Sequence, residues 1–103
     1  MAEHRFRAEL WEHSPGQPGS FHFLTLPAEL SDDLAVEAGP RGGFGSVRVE
    51  ARIGATVWRT SLFPDATQGA FVLPVKKAVR RAEDLEPGVA CDVTLSLEES
   101  PGG

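Results

Sequence analysis

A single cysteine, Cys91, stands in the whole chain, so no intramolecular disulfide can form and a reducing, cytoplasmic compartment is the expected setting. No apolar run approaches the roughly 20 residues that a membrane-spanning helix needs. The first residues, MAEHRFRAEL, also lack the apolar stretch of a signal peptide. A soluble, intracellular protein with no membrane partner is therefore expected. Metal chemistry lacks a ligand set as well. His4, His13 and His22 have no metal-ligand spacing, and one cysteine does not complete a zinc site with them. Nucleophilic catalysis has no carrier either. Ser61 has no nucleophile elbow around it, Cys91 falls on the apolar face of a strand where thiols usually pack, and no carboxylates pair in an acid/base setting. Gly39, Gly42, Gly43 and Gly45 superficially suggest a phosphate loop. Such loops follow a strand and open a helix, whereas here a helix precedes and a strand follows. No cofactor and no catalytic residue are expected.

What is present is a domain-sized chain of 103 residues, 41% hydrophobic and 24% charged, enough for one modest core without metals or disulfides. Residues 1–98 read as a single domain and 99–103 as a disordered tail. Ten cationic against fifteen acidic side chains give a net charge of −5, which weakens any case for nucleic-acid binding through the whole surface. The cations are unevenly spread. Lys76, Lys77, Arg80 and Arg81 crowd one short segment, while Glu29, Asp32, Asp33 and Glu37 crowd the matching segment of the first half.

Residue periodicity predicts mostly strands. His4 to His13 alternates, with Phe6, Ala8 and Leu10 on one face. SPGQPGS (Ser14 to Ser20) is a loop, and Phe21 to Leu26 is a nearly continuous apolar run suited to a more buried strand. Pro27 fits the first turn of a helix whose apolar stripe is Leu30, Leu34 and Ala38, stopped by Gly39-Pro40. After the loop GPRGG, Val47, Val49, Ala51 and Ile53 alternate strictly with polar residues, Gly54-Ala55 makes a tight hairpin turn, and Thr56 to Phe63 is the antiparallel partner. Ala70 to Leu73 is a short strand. Val75, Ala78, Val79, Ala82 and Leu85 then mark one face of a second helix, with all four cations off that face. Pro87-Gly88 turns the chain into a last strand carrying Cys91, Val93, Leu95 and Leu97 inward.

The unit strand, Leu-Pro, helix thus occurs twice, at Leu26-Pro27 and Leu73-Pro74. About six strands and two short helices predict a mainly β fold: a small closed or split β-barrel with a pseudo-twofold repeat, its edges hidden by closure.

Gly43-Phe44-Gly45, Ile53-Gly54, Trp58-x-Thr60-Ser61-Leu62 and the Lys/Arg helix before Pro87-Gly88 form a pattern with the strand leading to Leu26-Pro27. In this pattern, from Phe6 to about Glu98, the chain resembles an uncharacterised bacterial domain-of-unknown-function family. Its members occur alone or fused to a bacteriocin-protection (YdeI/OmpD-associated) domain. The resemblance implies a small split β-barrel and no established activity, and a fold by itself assigns none.

The candidate site comes from the residues themselves. Lys76, Lys77, Arg80 and Arg81 could grip a phosphate or an acidic surface, and Arg59 and Ser61, which share one strand face, could join them. The competing reading is a solvated amphipathic face. The expected function is a small cytoplasmic binding or interaction module for an anionic ligand or an acidic protein surface. A nucleic-acid-binding protein using the basic helix is the alternative, and an enzyme with a barrel-mouth pocket is a third.

Overall fold

The computed structural model describes residues 3–14, 21–39 and 45–98. The loops expected at SPGQPGS and GPRGG, and the tail 99–103, lie largely or wholly outside the described residues. The order of elements is β1 (Glu3–Glu9), β2 (Trp11–His13), β3 (Phe21–Thr25), α1 (Ala28–Ala38), β4 (Val47–Ile53), β5 (Thr56–Asp65), β6 (Ala70–Pro74), α2 (Lys77–Ala82) and β7 (Ala90–Leu97). The strands form one seven-stranded sheet in the order β1-β7-β4-β5-β6-β3-β2, and every pair is antiparallel.

The sheet cannot be flat. β1 and β2 lie at its two ends, yet only Leu10 separates them in the chain. Six strand spacings of about 4.8 Å would put flat edges roughly 29 Å apart, whereas Glu9 and Trp11 can be no more than about 7 Å apart. The sheet therefore curls, bringing β1 against β3, and forms a half-barrel with two helices. Seven strands replace the expected six because the first strand changes neighbour midway. β1 pairs with β7 and β2 with β3. At the changeover Leu10 leaves both ladders: its N–H donates to Val89 O (3.0 Å) and its carbonyl accepts from Gly88 N (2.8 Å).

The β4–β5 hairpin follows its sequence pattern. Val47 faces Leu62 and Ile53 faces Thr56, with Val47, Val49, Ala51 and Ile53 all buried and Arg48, Glu50 and Arg52 exposed. Gly54 takes φ +58, a region that L side chains rarely adopt, and a Cβ there would collide with the Glu83 carboxylate. That carboxylate accepts a hydrogen bond from Thr56 Oγ1 at 2.6 Å, which fastens the end of the hairpin to the segment after α2.

β6 is buried on both faces at Phe71, Val72 and Leu73, as a strand lying between the core and α1 must be. Helix α1 begins at Pro27, whose carbonyl accepts from Ser31 N (2.9 Å), and ends at Gly39 with φ +69. Its stripe is displaced from the expected one. Ser31 and Leu34 are buried, Leu30 and Ala38 only partly so, because Ser31 Oγ accepts a hydrogen bond from Phe71 N (3.0 Å) and is drawn against β6.

β3 is less buried than its apolar run suggests. Leu24 is fully buried, but Phe21 is 62% exposed. Helix α2 is also shorter than its periodicity predicts. Val79 is its one buried residue, Ala78 and Ala82 are exposed, and Val75 and Leu85 anchor the segment from positions flanking the helix. No helix among the described residues is long and apolar enough to cross a membrane.

Candidate anion-binding cleft

A cleft forms where β5 and β6 part. Their ladder runs only from Phe63↔Val72 to Asp65↔Ala70, near the connecting turn. Beyond it, Pro74 has no N–H to continue pairing, and the chain turns away into α2. On its other side β5 stays paired with β4 as far as Thr56. The gap, about 310 Å³, is lined by Phe21, His22, Trp58, Arg59, Thr60, Pro74, Val75, Lys76, Lys77 and Arg80.

Four of the six residues expected from the sequence thus meet in one place: Arg59 from β5, and Lys76, Lys77 and Arg80 from the start of α2. Arg59, Lys76 and Lys77 are exposed, whereas Arg80 is half-buried. Arg80 stays off the buried stripe of α2, as expected, but its side chain is not free in solvent, since Arg80 Nε donates to Val75 O at 3.2 Å. That bond ties the side chain back across the first turn and leaves its terminal nitrogens without a hydrogen bond among the described residues. The other two expected residues fall elsewhere. Ser61 is half-buried on β5 opposite Arg48, and Arg81 is exposed outside the cleft lining.

No carboxylate lines the cleft, and none of its four cations forms an ion pair among the described residues. This contrasts with a larger hollow of about 430 Å³ beside β1 and β7, lined by Arg5, Phe6, Asp92, Val93 and Thr94. There the acid is present in the wall, and Asp92 Oδ1 already accepts from Arg7 Nη1 at 3.1 Å. Volume favours that hollow, but charge favours the smaller cleft. Four cations that share a concavity and form no ion pair among the described residues make a field that a neutralised surface lacks.

The sequence profile described as Domain of unknown function (DUF1905) matches residues 6–95. The chain belongs to this family. The matched stretch of the DUF1905 chain runs from β1 into β7, so every residue that lines the cleft falls inside it. No curated protein matches the chain.

The DUF1905 cleft also contains residues that the sequence reading did not name as site candidates. Trp58 and Thr60 point to the opposite strand face from Arg59, yet all three line the gap because it exposes an edge of β5 rather than a face. His22 was visible as a polar residue within the apolar run FHFLTL. Its side chain is nine-tenths buried, Nε2 lies 3.8 Å from Glu12 Oε2, and Nδ1 has no hydrogen-bond partner among the described residues. A contact of 3.8 Å is too long for a hydrogen bond.

Elsewhere the chemistry is muted. Cys91 is buried on β7, and burial, reinforced by the Asp92 carboxylate and opposed by Arg7, holds its thiol above the ordinary value of 9.0. Among the described residues no three His, Cys, Asp or Glu side chains come together as a metal site would require.

Proposed function

We propose that the protein is a small binding module that takes an anionic ligand in the cleft between β5 and α2. Arg59, Lys76, Lys77 and Arg80 hold the charge, and Arg80 is pre-positioned by its bond to the Val75 carbonyl. The observation that carries the reading is their convergence on a concave gap with no carboxylate in its wall among the described residues. An anion entering it exchanges water for several charge-assisted hydrogen bonds at once. The concavity favours a small ligand over a nucleic-acid strand or an acidic protein surface, which would need cations along a ridge. Ser61 and Arg81 remain candidates for a larger partner.

The finer features suggested by the sequence belong to the same proposal. The two strand, Leu-Pro, helix units are halves of a pseudo-twofold barrel, and the module works in the bacterial cytoplasm, alone or beside a bacteriocin-protection domain.

Titration calorimetry with inorganic phosphate at low salt tests the reading. Wild type should bind, and Lys76→Gln/Lys77→Gln should bind at least about tenfold more weakly, since each charged hydrogen bond contributes about 1.5–3 kcal/mol. Both lysines are exposed and Gln is a good helix former, so the fold should be unchanged. Equal affinity in the two proteins would make the cations a solvated face. Binding of single-stranded oligonucleotide but not of phosphate, with a steep salt dependence, would favour the nucleic-acid reading instead.

A further inference from the structure

One feature of the cleft is unexplained by charge: Phe21, a large apolar ring that stands 62% exposed there. An exposed ring is unremarkable when it stands alone. Phe21 does not stand alone. It packs on Phe23 at 6.3 Å between ring centres, and Phe23 on Trp11 at 5.2 Å, so its orientation is supported by an aromatic row along β2 and β3.

We infer that the ligand is a phosphate ester carrying a flat aromatic ring, of the nucleoside monophosphate kind. The inference rests on the anion-binding reading above and adds to it. In this arrangement the phosphate meets Arg59, Lys76, Lys77 and Arg80, and the ring stacks on Phe21. The two parts of the ligand answer two separate features of the cleft: cations without counter-charges among the described residues, and a ring that stands exposed. The size agrees with a monomer rather than a strand. A space of about 310 Å³ lies at the lower end of small-ligand pockets. An exposed, pre-oriented ring also favours stacking, because little side-chain freedom is lost on binding.

The experiment compares adenosine monophosphate, ribose phosphate and inorganic phosphate by calorimetry against wild type and Phe21→Ala. Wild type should bind adenosine monophosphate at least about tenfold more tightly than ribose phosphate. Phe21→Ala should erase that gap and leave ribose phosphate affinity unchanged, its fold being checked by circular dichroism. Equal wild-type affinity for the two sugar phosphates would overturn the ring contact while leaving the anion site standing. A gap that survives in Phe21→Ala would overturn it too, since the ring would then lie elsewhere. Failure of all three compounds to bind would remove the anion site and this inference with it. The imidazole signals of His22 add an independent readout in wild type. Adenosine monophosphate should move the ring resonances of His22, which lines the cleft, and not those of His4 or His13, and an unmoved His22 would contradict binding in this cleft.

Discussion

Replacing Val79 by aspartate should unfold the module more readily than any single surface change, because Val79 is the one buried residue of α2 and is only 1% exposed. Burying a valine side chain contributes about 1.5–3 kcal/mol. Aspartate forfeits that and places a carboxylate in the apolar cluster that includes Val75 and Leu85. The combined loss is roughly 2–4 kcal/mol, a large share of the about 5–15 kcal/mol that stabilises a domain. In a thermal melt this corresponds to a drop on the order of 10–25 °C for a chain of this size. Arg81→Asp is the control, two positions away and exposed, and it should cost no more than about 1 kcal/mol through its unfavourable charge near the helix end. Urea titrations followed by Trp fluorescence give both values on one scale. Matching midpoints for the two variants would show that α2 does not bury the Val79 face, and the placement of Arg80 and Lys77 over the cleft would fall with it.

Gly54→Ala should destabilise by about 1–3 kcal/mol, since its positive φ strains any L side chain and the Glu83 carboxylate must move aside from the hairpin end. An unchanged urea midpoint would contradict the geometry of that turn. Cys91 should react slowly with iodoacetamide at neutral pH in the folded protein and rapidly in urea, because its thiol is buried and held above the ordinary value. Its raised pKa also gives a sign to the pH dependence. The folded state holds the proton more tightly than the unfolded one, so Cys91's contribution to stability is fully present below pH 9.0 and is lost as pH rises through the folded value. A Cys91→Ala variant should lack that alkaline loss, and an identical alkaline profile in the two proteins would refute the assignment.

The strands were legible where one face is buried and the other wet. Val47 to Ile53 alternates in sequence and in burial alike, and the single positive φ that Gly54 supplies makes the hairpin unavoidable. The changeover at Leu10 was not read from the sequence, because Phe6, Ala8 and Leu10 alternate cleanly up to it and only Trp11 and Glu12, out of pattern just beyond it, mark the break. The helices were legible in kind but not in extent. A face of Val75, Ala78, Val79, Ala82 and Leu85 has the right period, yet alanines fit either side of a short helix, and here both are exposed. For the site, the cluster of cations showed in the sequence, whereas the cleft itself depends on where two strands separate. That separation places Trp58, Thr60 and His22 beside Arg59 and excludes Ser61, which no one-dimensional pattern encodes.

The most direct test of the central claim is a two-dimensional amide NMR titration of the protein with inorganic phosphate. The cleft account predicts that Trp58 to Thr60 and Val75 to Arg80 shift together along one saturable curve, while Arg5, Asp92 and Thr94, which line the larger hollow, stay still. Shifts centred on that hollow, or an unsaturable drift spread over every exposed cation, would contradict it.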